Sequence, residues 1–331
     1  MSDQSMGHCN LHDSSIVFDG TIVAKWSRGT FEKMRAGGLT AANCTICVWE
    51  GIKDTLLNIA QFHRYFEEHA DLIMLCRTVA DIAAAKRTGR VGIVLGWQNT
   101  SGIEDRIELL PLYKDLGVGF MQLTYNTQNY VASGCWEKQD GGLSAFGERL
   151  VLEMNRTGIV VDLSHVGVRS ASDAIAKSHK PCAYTHVCPA GLFPYPRNKT
   201  DAQLKELAER GGFIGVAATY TPFLRRGAES TLDDAIEVLE YVINVCGEEQ
   251  VGIGTDSTDG QDEAFFDWGR QDKGHGARMV PTRGTAPAMK DFGSLADWPQ
   301  LTQVMQRRGW AETRIQRILG ENWVRFLGEV W

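Results

Sequence analysis

The chain has 331 residues, 43% of them hydrophobic, and a formal net charge of −7. The apolar share is enough for a sizeable core, and the acidic balance argues against a nucleic-acid or anionic-membrane surface. No apolar run approaches transmembrane length, and Met1 to Asp13 is polar without a signal-peptide core, so a cytoplasmic protein is expected.

Short β-branched runs alternate with helical patterns along the chain. The runs are Ser15–Val23, Leu39–Val48, Val91–Trp97, Val118–Thr124, Gly158–Ser164, Pro181–Thr185, Gly212–Ala217 and Val251–Thr255. Helical patterns fall at Asp54–His69, Thr78–Thr88, Ile103–Asp115, Phe146–Thr157, Ser170–Ser178, Asp201–Arg210 and Leu232–Cys246, and Ala311–Val330 closes the series. Strand–helix alternation implies parallel strands with right-handed crossovers. Eight such units predict an α/β fold, a closed (β/α)8 TIM-type barrel with its chemistry at the carboxyl ends of the strands. A doubly wound open sheet competes, but no Gly-x-Gly-x-x-Gly turn follows an early strand. One barrel domain over 1–331 is expected, with a polar, Gly-rich loop at about 260–292 as a lid candidate.

Period-two geometry sends Val161, Leu163 and His165 to one face, and Gly252, Gly254 and Asp256 to another such face. His186 ends the sixth run. Each histidine alone could be a hydrogen-bonded core group. Both together, with Asp256, make a metal site the better reading. Neutral imidazoles and a carboxylate suit a divalent transition ion, most simply zinc, with a position left for water. In Cys44-x-x-Cys47, residues three apart on a strand face opposite sides, which argues against a dithiol motif. Cys44, Ile46 and Val48 should pack under helices, with Asn43, Thr45, Cys47 and Trp49 facing inward. The eight cysteines are scattered and expected to be reduced. His63 to His69 lacks metalloprotease spacing and reads as a polar helix face.

The run Gly141-Gly142-Leu143-Ser144-Ala145-Phe146-Gly147, then Met154-Asn155-Arg156-Thr157-Gly158 and Val161-Asp162-Leu163-Ser164-His165, resembles the membrane (renal) dipeptidase family. So do Lys180-Pro181, Thr185-His186, Pro196-Arg197-Asn198-Lys199-Thr200-Asp201, Arg210-Gly211-Gly212-Phe213 and Gly252-Ile253-Gly254-Thr255-Asp256. The resemblance implies a metallo-dependent hydrolase-like barrel and a homodimeric zinc dipeptidase with two bridged metals. It makes His165 and His186 metal ligands, Arg197 the clamp for a substrate carboxylate, and Asp256 a metal ligand or proton handler.

The departures from that pattern matter as much. The family's Asp-Gly-His-x-Asp is Asp19-Gly20-Thr21-Ile22-Val23 here, and both ligands are gone. The Gly-x-Glu that bridges the metals is Gly96-Trp97-Gln98. The Leu-Thr-His-Asn that meets substrate is Leu123-Thr124-Tyr125-Asn126. A neutral amide cannot bridge two dications as a carboxylate does, so one divalent ion on His165 and His186, completed by Gln98 or Asp256, is expected. Tyr125, Asn126, Lys25 and Glu50 are the expected pocket residues beside Arg197.

The expected function is a metal-dependent, dipeptidase-like hydrolase that cleaves an amide or related C–N bond in a small carboxylate-bearing substrate. It requires neither nucleic acid nor membrane. The alternatives are a small-molecule binding protein on the same scaffold, and a metal-free lyase or isomerase using Lys25 or Asp256 as base.

Overall fold

The computed structural model describes residues 11–331, so most of the polar start read from Met1 to Asp13 lies outside the described residues. The strands are β1 (Phe18–Ile22), β2 (Ala41–Cys47), β3 (Ile73–Leu75), β4 (Val91–Trp97), β5 (Val118–Gln122), β6 (Val160–Asp162), β7 (Ala183–Val187), β8 (Phe213–Val216) and β9 (Val251–Ile253). They pair in the order β1-β2-β4-β5-β6-β7-β8-β9, all parallel. Ile22 bridges Ser257, and the Asp256 amide donates to the Thr21 carbonyl at 3.0 Å, so β9 meets β1 and the barrel closes. All eight expected strands are present. The ninth, β3, escaped the sequence reading because three residues carry too little periodicity. It pairs with the first half of β4, while β5 pairs with the second.

Helices cover the outside of the barrel, as the crossovers require. Those at Ile52–Glu68, Val79–Thr88, Ala145–Thr157, Val168–Lys177, Asp201–Glu209 and Leu232–Cys246 lie within two residues of the expected boundaries. Arg28–Ala36, Glu263–Gly269 and Trp298–Arg307 are helical without having been expected. The second of these lies inside the supposed loop at 260–292. The described residues contain no helix long and apolar enough to cross a membrane.

The barrel floor is plugged from its own C-terminus. Trp323, at the start of the helix Asn322–Val330, packs on Phe18, Phe120 and Phe213 with ring centroids 5.3, 6.0 and 4.2 Å away. Its indole N–H donates to the Ile253 carbonyl at 2.9 Å, so the large ring is buried without an orphaned donor.

Above that floor β7 departs from regular pairing. Its register against β8 shifts between Tyr184 and Val187, which pushes the Thr185–His186 backbone into the barrel. Only glycine tolerates this on the neighbouring strands. A Cβ on Gly254, Gly215 or Gly20 would lie 1.9, 2.1 or 2.5 Å from the Thr185 carbonyl oxygen. The bulge and the glycines opposite it bring His186 to the mouth.

Candidate active site

His165 follows β6 and His186 lies within β7, and the two rings meet. Their Nε2 atoms are 3.1 Å apart, and both residues are buried. Each remaining ring nitrogen is held. His165 Nδ1 lies 2.8 Å from Asn126 Oδ1, and His186 Nδ1 lies 2.8 Å from Thr185 Oγ1. Thr185 gives its own hydroxyl proton to the Asp162 carboxylate at 2.6 Å, so toward His186 it can only accept. The carbonyl oxygen of Asn126 likewise only accepts. Both imidazoles therefore carry their proton on Nδ1, and two Nε2 lone pairs face each other.

That arrangement calls for a cation between them. A shared proton would make one ring an imidazolium. Burial, with the positive charges of Arg197 and Lys199 nearby, pushes both imidazoles well below their ordinary pKa. Neutral rings oriented through Nδ1 are what a divalent ion needs from histidine ligands. The donor set stops at two imidazoles, however. Among the described residues, no group of three or more His, Cys, Asp and Glu side chains could hold a metal. The side chains thus fit one ion on His165 and His186, with the remaining positions left to water or substrate, and the expected Asp256 ligand is not brought into a three-residue donor group. They do not fit a carboxylate-bridged pair. Where the bridging carboxylate would stand, Gln98 faces the cavity and donates its amide to Thr45 Oγ1 at 3.1 Å. Thr21, in place of the first-strand histidine, lies 3.2 Å from His186 Nδ1.

His165 opens onto a cavity of about 700 Å3, counted with its mouth, whose wall includes Gln98, Tyr125, Asn126, Arg197 and Asp256, while His186 stands behind it, fully buried. Arg197 is only 2% exposed. One of its nitrogens, Nη2, donates to the His186 carbonyl at 2.8 Å, while Nε and Nη1 have no partner. The guanidinium lies over Phe223, 5.2 Å from the ring centroid. A buried cation with two free donors on a cavity wall is prepared for an anion.

Asp256 sits just past β9 in the left-handed region, with φ +53°, a conformation that turns its side chain away from the strand path. Burial raises its pKa to about 7, Arg197 opposing and Asp19 and Asp162 reinforcing the shift. Asn126 also has positive φ, +61°, which an asparagine adopts at small cost. Tyr125 stacks on His165 at 4.3 Å and meets Trp49 edge-on at 5.2 Å, closing one side of the site.

Three sequence expectations are corrected by these positions. Lys25 is exposed and does not line the cavity. Glu50 also lies outside it: its Oε2 accepts from the amides of Val48 and Trp49 at 2.6 and 3.0 Å, tying its own turn. Cys47 points outward, toward Thr55 Oγ1 at 3.4 Å and Ser101 Oγ at 3.7 Å, while Val48 takes the cavity wall. The cause is a register shift between Thr45 and Cys47, which reverses the alternation for the rest of the strand. Burial pushes the Cys47 thiol up to about 12, so it is inert at neutral pH. The seven cysteines described are all free.

The segment at 260–292, expected as a loop and a lid candidate, contains a helix and builds a large part of the cavity wall. Phe265, Phe266, Arg270, Val280 and Thr282 all line it. Asp272 accepts from Thr127 Oγ1 at 2.8 Å, which fastens the segment to the loop after β5.

A family model described as membrane dipeptidase (Peptidase family M19) matches residues 23–272. The dipeptidase aclJ of Aspergillus oryzae is 29% identical over 288 residues, 85% of this chain and 62% of that protein. An uncharacterised dipeptidase of Schizosaccharomyces pombe is 33% identical over 212 residues, 62% of this chain and 51% of that one. The chain thus spans half to two-thirds of the length of these curated relatives. Among solved structures, an amidohydrolase from Pseudomonas aeruginosa superposes with a TM-score of 0.95 at 46% identity, over 98% of this chain and 99% of that one. A metallo peptidase from Rhodobacter sphaeroides, liganded with a phosphinate mimic of L-Ala-D-Ala, has the same fold at a TM-score of 0.79 and 22% identity, over 96% and 100%. With the matched model covering most of the chain, the protein belongs to the membrane dipeptidase family, Peptidase family M19.

Proposed function

We propose that the protein hydrolyses an amide or related C–N bond in a small carboxylate-bearing substrate, using one divalent transition ion, most simply zinc. The observation that carries this reading is the facing His165–His186 pair, whose His165 lines the same cavity as Asp256 and the two free donors of Arg197. An ion held by the two histidines would supply Lewis-acid polarisation and a more acidic water.

The chain's own residues do the rest. Arg197 receives the substrate carboxylate on its free Nε and Nη1, a planar fork suited to two parallel hydrogen bonds. That contact fixes the scissile bond relative to Asp256. With a pKa of about 7, Asp256 is ionised in a substantial fraction of molecules at neutrality and can take the proton of the attacking water. It then returns the proton to the leaving nitrogen. Asn126 and Thr185 fix the histidine tautomers, and Tyr125 shields His165 from solvent. Lys25 and Glu50 take no part in this account.

The test is turnover of N-acyl amino acids and dipeptides by protein purified without chelator. His186→Ala should lose bound metal and hydrolysis together, and full activity in that variant would refute the reading. A second reading, a small-molecule binding protein, is favoured by the neutral Gln98 and the two-donor limit. Under it, carboxylates bind in an Arg197-dependent way and no amide is cleaved at any metal concentration.

A further inference from the structure

The cavity carries two guanidinium groups and one carboxylate. Arg270, in the segment after the helix Glu263–Gly269, lines the cavity together with Arg197. Its Cζ lies 5.0 Å from the Phe266 ring centroid, and one Nη1 donates to the Gly284 carbonyl. Among the described residues no carboxylate lies within ion-pair distance of it: the nearby Asp267, on which its charge still acts, is bound by Arg278 at 2.6 Å. Arg197 has no carboxylate partner either. Both arginines line the one cavity together with Tyr125 and Tyr195.

Asp256 alone cannot neutralise this wall. It is also the group assigned to the proton. An ordinary dipeptide brings a carboxylate and an ammonium. The carboxylate suits Arg197, but the ammonium would enter a positive field with no spare acid to receive it. A ligand with two negative charges would satisfy both forks.

Resting on the amide-hydrolase reading above, we propose that the substrate is a dianion: an amide bearing two carboxylates and no free α-amine, with one carboxylate on Arg197 and the other on Arg270. The second carboxylate belongs to either the amine or the acyl portion, and the test covers both.

Calorimetry on the full-length protein would compare two isosteric pairs. One is N-acetyl-L-glutamate with N-acetyl-L-glutamine. The other is N-succinyl-L-alanine with the corresponding succinamoyl amide. In at least one pair the dianion should bind tenfold or more tightly than the monoanion. Arg270→Gln should reduce that ratio to near one, with a much smaller loss for the monoanion than for the dianion, and Arg270→Lys should restore part of it. Equal binding within both pairs would overturn the proposal. So would a preference that survives Arg270→Gln, or a parallel loss for both members, which would make Arg270 a prop of the cavity wall. Turnover is scored separately. An Arg270-dependent preference without amide cleavage would sink the hydrolase reading and leave the dianion site standing. Cleavage without the preference would do the reverse.

Discussion

On the β6–β7 side of the barrel mouth, polar groups are locked in a chain running from Asp162 through Thr185, His186 and His165 to Asn126, with steps of 2.6, 2.8, 3.1 and 2.8 Å. On the β1–β4 side the groups nearest the histidines are neutral and shorter in reach, and the one carboxylate, Asp19, is bound to Thr255. Gln98 holds Thr45, Asn43 Nδ2 donates to the Gly20 carbonyl at 2.8 Å, and Thr21 leans on His186. One wall is built to present two lone pairs, and on the other the carboxylate of Asp19 is taken up by Thr255 and the Thr21 amide rather than facing the histidines' lone pairs. The difference shows how one wall of a barrel mouth can keep its oriented imidazoles while the other carries only amide and hydroxyl groups toward them. Neutral groups on one wall keep the negative charge there low, while the opposite wall's hydrogen bonds hold its imidazoles independently.

The largest effect expected from disturbing this division is at Asp256. Asp256→Asn should lower kcat by about 10^3-fold, in the range for loss of a general base. The base works in its ionised form, so wild-type kcat/KM should fall about tenfold per pH unit below about 7 and level off above it. A flat profile across pH 5 to 8 would remove Asp256 from that role. Next in size, Arg197→Met should cost about 10^2-fold in kcat/KM, mostly through KM, because it deletes the carboxylate's fork without touching the histidines. A change confined to kcat would place Arg197 elsewhere in the reaction.

Gln98→Glu sharpens the comparison directly, because it returns one negative charge to the neutral wall. Divalent-ion affinity should rise about tenfold, a typical size for one added charged contact near a bound ion. Unchanged affinity by competition with a chelator would show that the wall's charge does not limit binding. The smallest effect belongs to Cys47, whose thiol faces Thr55 on the outside of the barrel. Cys47→Ala should cost about 1 kcal/mol of stability and leave kcat/KM unchanged. An altered KM would put the thiol back in the site.

Much of this architecture was legible in the sequence, for physical reasons. A barrel strand is buried on both faces, so it reads as a short β-branched run, and its last residues point into the mouth. His165, His186 and Asp256 could therefore be grouped from their places at strand ends, and Arg197 from the motif around it. What was not legible depended on local backbone departures or on distant packing. The shift between Thr45 and Cys47 reversed the facing of Cys47 and Val48, and nothing in the alternation signals it. Lys25 and Glu50 follow strands closely, but one is turned to solvent and the other caps its own turn. Arg270 sits in a segment with little periodicity, and the Trp323 plug joins residues at opposite ends of the chain.

The central claim, one ion on the histidine wall, is tested most directly by titrating metal-stripped protein with zinc while following hydrolysis of an N-acyl amino acid. Activity that saturates at one equivalent per chain, and is lost in His165→Ala, is the predicted result. Saturation at two equivalents, or hydrolysis indifferent to added metal, would contradict it.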